Sequence, residues 1–451
     1  MPSLSLLQHA PEDAVAALLD CEKVLPKDAD AVIVGGGIMG CSAAWYLAKA
    51  GLNVALLDKG RLASQQSGRN WGFVRSLCRD PLELPLAALA LEMWPTAEAE
   101  LGFRMGWRRS GCVFLSADEA EHAAYGKWQT EASHLVRDTR LLDTRETKQR
   151  FPALTQPAHG AIIAESDGQA EPTLATLAYA KAAMRAGASV LEDCGVVAIE
   201  KAGGRVCGVQ TEYGSIRTPL VICTAGARTY RLISDSQPGF PQKVVRSTVS
   251  LTAPMADLKL PCFVGYGLGL RQRADGSCII ATDSGTDVDV TLDSFRAGGY
   301  FLRELWHNRK SFSLQLGKPL LDDVLERFSV PRAERAIHPK QEDIPPNQKR
   351  VRKTAQLFSS LFGAEAPPKI VKSWAGNIDV MPDALPVIDG SGPVSGLIVA
   401  TGFSGHGFGL GPAVGRTIAD LSLGRTLSVD LSPFAASRFA RGAYSRPYTT
   451  I

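Results

Sequence analysis

The stretch DADAVIVGGGIMGCSAAWYLAKAGLNVALLDKG, residues 28–60, places four glycines in the six positions 35–40, between two blocks of Val, Ile and Leu. AVIVG (31–35) is a short apolar run closed by glycine, the pattern of a strand buried on both faces. From 38 to 50 the spacing becomes helical, with Ile38, Ala43, Ala44, Tyr46, Leu47 and Ala50 as packing positions and Gly51 as the cap. NVALLD (53–58) reads as a second strand. The series Gly35-x-Gly37-x-x-Gly40 thus opens a helix inside a strand–turn–helix–strand unit. Gly35 permits the tight turn. Gly37 lets the backbone approach a pyrophosphate at the positive end of the helix, and Gly40 lets helix and strand pack closely. Asp58 closes the second strand, placed to accept hydrogen bonds from an adenosine ribose. The unit predicts a bound dinucleotide. The acid at 58 favours FAD or NAD over NADP and does not separate the first two.

Working outward, 451 residues make two domains the natural expectation. The apolar fraction of 45% and charged fraction of 21% are those of an ordinary globular protein. A net charge of +3 argues against nucleic acid as a partner. The nine cysteines include no CxxC pair, so zinc-ribbon and dithiol signatures are missing and no metal is expected. Scattered cysteines of this kind suit a reducing, cytoplasmic setting. The N-terminal MPSLSLLQHAPEDAVAALLD has no basic region ahead of an apolar stretch, and Glu12 and Asp13 interrupt it, so it does not read as a secretory signal. Residues 1–28 are expected to form an extension, a short helix or a loose arm. No window approaches about 18 consecutive apolar residues, so no membrane span is expected.

After the second strand comes the polar loop RLASQQSGRNWGFVRSLCRD (61–80), where a plain dehydrogenase would continue with another helix and strand. That departure points towards a flavin. Helical patterns fall at 82–102, 292–306 and 349–363; a strand then a helix at 111–128; strand, turn, helix, strand at 160–193. Residues 195–227 read as a three-strand meander ending in the buried LVICTAGA, and 243–285 as further strands. KRVRK (349–353) reads as a solvated helix face. Near the C-terminus GLIVATG is another buried strand, followed by GFSGHGFGLGP with glycine at 402, 405, 407, 409 and 411, and by a helix expected from about Pro412. Two separated glycine-rich strand-to-helix turns suggest two backbone surfaces clasping one large ligand.

Together VIVGGGIMG, SGRNWGFVRS, VICTAGA, WAGNIDVMPDALPVI and GFSGHGFGLGP resemble the D-amino-acid-oxidase-like family of FAD-dependent amine oxidoreductases. The resemblance spans about residues 29–440 and is greatest to the sarcosine oxidase group, including its beta subunits and related amino-acid dehydrogenases. It implies an α/β fold. A Rossmann-type, glutathione-reductase-like FAD domain would be assembled from 29–98, 160–242 and 375–440. A substrate domain on an antiparallel sheet would come from 99–159 and 243–374. Implied FAD contacts are Gly35, Gly37, Ile38, Met39, Gly40, Asp58 and Lys59, then Ser67, Gly68, Arg69 and Asn70, then Val197, Ala225 and Gly226. Gly402, Ser404, Gly405, His406 and Gly407 would lie against the flavin pyrimidine edge. Backbone N–H groups and a helix N-terminus there would stabilise charge developing on the ring. The FAD is expected to be non-covalent, because no cysteine follows Cys278 and no histidine lies between His9 and His122.

The resemblance implies oxidation of the C–N bond of a secondary, N-methyl or simple amino acid to an imine, by hydride transfer to flavin N5. Arg75 matches an arginine used for substrate carboxylates, His406 would line the site, and Arg271 is a third candidate, on a strand facing either pocket or solvent. Tyr266 and Trp374 are candidates for the pocket wall, whereas Asp379 and Asp383 read as turn and loop residues. Three positions depart from the family pattern. Gly409 stands where monomeric sarcosine oxidases carry a lysine. No lysine lies between Lys259 and Lys310, a span that includes the Cys278–Thr282 region of their oxygen-activating lysine. Ile378 is near the place of an arginine in glycine-oxidase-like members. The expected partners are an amine or amino-acid substrate, an electron acceptor (oxygen or another), and partner subunits. A 2-hydroxy-acid dehydrogenase and a flavoprotein subunit of a multi-subunit amino-acid dehydrogenase are the alternatives.

Overall fold

The structure is a computed structural model that describes residues 21–448 apart from 23, 137, 238, 284, 308–311 and 316. Most of the expected N-terminal extension, residues 1–20, lies outside the described residues.

The opening unit folds as read. β1 (Ala31–Val34) leads through the glycine turn into α1 (Ile38–Lys49) and back to β2 (Val54–Leu57), parallel to β1. Every residue of β1 and β2 is buried. Ala31, Ile33, Val54 and Leu56 enter one apolar core with α1; Val32, Val34, Ala55 and Leu57 enter a second core on the other face. Two buried faces are why these strands are continuous apolar runs. The sheet continues in the order β20 (Val387–Asp389), β21 (Leu397–Thr401), β12 (Val221–Cys223), β1, β2, β8 (Ser189–Leu191), parallel except at β20. The other helices of twelve residues or more are α2 (Leu84–Leu101), α3 (Glu119–Ala132), α4 (Pro172–Arg185), α5 (Leu292–His307), α6 (Lys318–Ser329), α7 (Gln348–Phe362) and α8 (Gly407–Ser422). Among the described residues none is long and apolar enough to cross a membrane.

Two expectations are corrected here. The meander of β9 (Val196–Ala202), β10 (Arg205–Thr211) and β11 (Gly214–Arg217) ends before VICTAGA, because β12 leaves it to pair with β1 and β21 in the parallel sheet. The C-terminal helix α8 starts at Gly407, with Pro412 inside it rather than at its first turn. Its glycines mark a close helix crossing, not a longer loop. A Cβ on Gly411 would come within 2.4 Å of Ile38, and one on Gly415 within 2.2 Å of Ser42, both on α1. Ser42 Oγ donates to Gly411 O at 2.9 Å across that contact.

The second large sheet runs β18 (Phe312–Gln315), β17 (Thr286–Asp289), β13 (Lys243–Thr252), β16 (Cys278–Thr282), β15 (Leu268–Gln272), β14 (Cys262–Gly265), β4 (Cys112–Ser116), β6 (Gly160–Ala164), β5 (Thr139–Asp143), with β19 (Ile370–Val380) also paired to β13. It is antiparallel except at β14–β4 and β17–β18. β6 and the whole of β19 hydrogen-bond within this sheet, so the boundaries drawn at 160 and 375 fall at its strands. Register sets Phe114, Val264, Gly269, Ala281, Val249 and Trp374 in one row across the strands. Partners in register share a face, so the row forms one apolar floor. Gly269 leaves room in that floor for the Trp71 ring, which an added Cβ would meet at 2.2 Å.

Candidate active site

A cavity of about 390 Å³ draws its lining from the glycine turn, the 61–75 loop, the floor of the large sheet and the start of α8. Sixteen of the sequence-derived candidates line it: Gly35, Gly37, Ile38, Met39, Asp58 and Lys59; Ser67, Arg69, Asn70 and Arg75; Ala225 and Gly226; Ser404, Gly405, His406 and Gly407. Five do not: Gly40, Gly68, Gly402, Val197 and Arg271. Each has a physical reason. A Cβ on Gly40 would lie 1.9 Å from Gly35 O, one on Gly68 2.1 Å from Ala63 O, and one on Gly402 2.3 Å from the Met381 side chain, so these glycines serve close packing behind the wall. Val196, its neighbour on β9, lines the cavity in place of Val197, a one-residue error of strand phase.

Arg271 is a buried structural ion pair. It is 2% exposed, and its guanidinium donates to both oxygens of Glu171, at 3.0 and 3.1 Å. It also donates to Gln169 Oε1 at 3.1 Å and to the carbonyl of Trp71. Glu171 feels burial, which would raise its pKa, but Arg271 and Arg273 pull it down to about 2. Tyr266 and Trp374 also lie off the cavity; Trp374 Nε1 donates to Arg69 O at 3.0 Å. Asp379 is not a turn residue. It sits buried near the end of β19, lines the cavity, and accepts from Gly402 N at 2.6 Å and Thr401 Oγ1 at 2.8 Å. Asp383 pairs with Arg438 at 2.7 Å.

At the glycine turn, Gly36 N and Gly60 N donate to the Asp58 carboxylate at 2.6 and 2.8 Å, and Ile38 N donates to Ser67 Oγ at 2.9 Å. Burial raises the Asp58 pKa against those bonds. Glu342, which sequence reading missed, reaches the same wall from more than 270 residues away. It pairs with Arg228 at 2.5 Å and Lys59 at 3.6 Å, and its carbonyl accepts from Arg69 at 2.6 Å. Burial, then Arg228, lowers the Lys59 pKa to about 8. No local pattern marks such a residue; only the folded loop brings it there. Arg69 also donates to Ser64 O and Ala375 O, at 2.8 and 2.9 Å, and so orders its own loop.

At the other candidate positions, Arg75 is half-buried, with its guanidinium carbon 5.3 Å from the centre of the Phe114 ring. It donates to Leu77 O, and among the described residues no carboxylate lies within ion-pair distance of it. Burial, with Arg79 beside it, pulls its pKa below the ordinary arginine value. Asp167 fixes the loop from behind, accepting from Ser76 N, Ser76 Oγ and Leu77 N at 2.8, 2.9 and 3.1 Å; burial lifts its pKa to about 6. Arg79 is buried and also lines the cavity. His406 precedes the first turn of α8. Desolvation, then the charges of Arg79 and Arg75, hold its pKa well below the usual 6.5, so its imidazole is neutral.

The wall fits FAD. The glycine turn brings bare backbone to the cavity, and a Cβ on Gly37 would crowd Ser67 Oγ at 2.9 Å. Gln65 lines the cavity with a buried Nε2 that has no hydrogen-bond partner, a donor that an oxygen- and nitrogen-rich cofactor would satisfy. A family model described as FAD dependent oxidoreductase matches residues 30–421, and the chain belongs to that family. Its cofactor is FAD, and the expected fold class and family are both met. The sarcosine oxidase subunit beta of Rhizobium meliloti is 26% identical over 425 residues, covering 92% of this chain and 89% of that protein. The mitochondrial sarcosine dehydrogenase of Homo sapiens is 24% identical over 436 residues, which is 94% of this chain but 43% of that protein; the chain spans less than half the length of that relative. Among solved structures, the L-amino acid deaminase from Proteus myxofaciens is 26% identical with a TM-score of 0.85, over 94% of this chain and 96% of that one.

Proposed function

We propose that this chain oxidises the C–N bond of a secondary, N-methyl or simple amino acid to an imine, with Arg75 as the anchor for the substrate carboxylate. One observation carries the reading: Arg75 faces the cavity as a partly desolvated cation, and among the described residues no carboxylate lies within ion-pair distance of it, Asp167 acting only from behind the loop. Such a cation is costly unless an anion joins it, and a carboxylate is the anion whose two oxygens match the guanidinium fork. FAD, when bound, supplies the hydride acceptor; Gly35, Gly37, Asp58, Lys59 and Ser67 would hold its dinucleotide part, and Ser404 to Gly407 its flavin edge. The chain's own residues orient and shield. Phe114, Val264 and Val249 give the cavity an apolar wall that excludes water. Neutral His406 adds no charge to repel the substrate amine, whose nitrogen must shed its proton before its lone pair can assist C–H cleavage. The aligned peptides of α8 turn their positive end towards Ser404–Gly407.

A 2-hydroxy acid would meet the same anchor but has no amine to titrate, so only an amine substrate should show a rate that falls as pH drops through its own ionisation. An acceptor other than oxygen is favoured by one feature. β16 carries no lysine, and Thr282 lines the cavity at its end. Partner subunits and a cytoplasmic setting belong to the same reading; the resemblance to a protein named as a subunit supports the first. The test is anaerobic mixing of the FAD-loaded protein with a panel of amino acids and hydroxy acids, followed by the loss of visible flavin absorbance. Loss of absorbance with hydroxy acids alone rejects the amine reading.

A further inference from the structure

We infer that Arg79 is a positioning residue that neutralises Glu83 beside the anchor, so that Arg75 meets the cavity unopposed by that acid; this rests on Arg75 being the carboxylate anchor. Arg79 and Glu83 are 3% and 1% exposed and paired at 2.8 Å, four residues apart on the loop that leads into α2. The same guanidinium donates through Nε to Arg75 O at 3.0 Å and through Nη2 to His406 O at 2.9 Å. One side chain therefore ties together the backbone of the anchor, a buried acid and the start of α8. Trp128 Nε1 holds the Arg79 carbonyl in turn, at 2.7 Å.

Glu83 is poorly supplied with other partners. Its Oε1 is buried with no hydrogen-bond partner, and its Oε2 lies 4.0 Å from His406 Nδ1. Without Arg79 it would be a buried carboxylate beside the site, competing with the substrate for the field of Arg75. Without Glu83, Arg79 would add an uncancelled positive charge next to Arg75. The pair cancels both charges at this corner of the cavity and leaves the Arg75 guanidinium to face a carboxylate. The arrangement is local in sequence, Arg75, Arg79 and Glu83 at spacings of four, and so is carried by one loop, 75–83, ahead of α2.

The experiment is a titration of acetate, with acetamide as the neutral control, into FAD-loaded protein, read from the perturbation of the flavin spectrum. Arg79→Leu should weaken acetate binding roughly tenfold or more, and the double variant Arg79→Leu/Glu83→Leu should recover most of it, because no acid remains to oppose the anchor. Glu83→Gln alone should tighten acetate a few-fold, at roughly constant acetamide binding. A double variant as weak as Arg79→Leu, in a folded protein, shows that the pair is only structural and overturns the inference. If Arg79→Leu does not fold, Glu83→Gln decides: unchanged or weaker acetate binding overturns it. Arg75→Leu separates the two levels. Should it bind acetate like the parent, or should the parent bind none, the anchor reading itself falls.

Discussion

Arg271 and Arg75 look alike in the sequence, each an arginine beside a glycine-rich or apolar run, yet their surroundings are opposite. Arg271, on β15, has a carboxylate with both oxygens engaged, a glutamine and a backbone carbonyl. Arg75, on the loop before α2, has one backbone carbonyl and an aromatic face. The first region has its counter-charge in direct contact; the second, with Asp167 acting only from behind the loop, gains a directly paired one on the proposed reading when a substrate carboxylate binds. Burial alone does not mark a binding residue. A desolvated charge with no counter-charge in direct contact does so more sharply.

The largest effect should come from breaking the complete region. Arg271→Leu would leave Glu171 with Arg273 alone and is expected to cost about 3–5 kcal/mol of stability, visible as a marked fall in Tm. Arg75→Leu should leave Tm level or raise it, since it removes an unpaired charge. It should instead raise KM for a carboxylate substrate by roughly 30- to 150-fold, the equivalent of about 2–3 kcal/mol for a lost charged hydrogen bond. Equal losses of stability at the two sites would erase the contrast.

The acids of the two regions sharpen it further, because they titrate with opposite sign. Glu171, held at about 2, gives stability that is present above its unfolded value of 4.5 and is lost as pH falls through that window. Asp167, raised to about 6 from 3.8, binds its proton more tightly when folded, so its contribution declines as pH rises between those values, by up to roughly 3 kcal/mol. Thermal melts of Asp167→Asn between pH 4 and 7, compared with the parent, should show that downward component removed. A parent and variant with parallel pH profiles would mean the carboxyl is already ionised below this window.

Much of this was legible from residue patterns. The glycine turn, α1 and the paired strands follow from spacing and buried apolar runs, which are local properties. Arg75 was found by likeness of motif, and its spacing to Arg79 and Glu83 was there to be read. What escaped depended on distant partners. Whether Arg271 points at a cavity or an acid turns on Glu171, exactly one hundred residues earlier in number but adjacent only after the sheet forms. Glycine proved ambiguous in α8, where closeness to α1 and not a turn requires it. Val197 and Val196 differ only by strand phase, which is set by pairing across β9 and β10.

The smallest expected effect concerns His406, which lies between the two descriptions: it touches the cavity but carries no charge. Burial of the ring, then the positive charges of Arg79 and Arg75, disfavour its protonation and hold its pKa well below the usual histidine range. A residue in that state neither cancels Arg75 nor competes with a substrate ammonium. His406→Gln keeps a polar group at the start of α8 and is expected to lower kcat less than about tenfold, under 1.4 kcal/mol, with the pH–rate profile unmoved between pH 6 and 9. A fall of several orders of magnitude, or the loss of a titration limb in that range, would make His406 a proton-transferring group and would require that the cations beside it be neutralised when substrate binds.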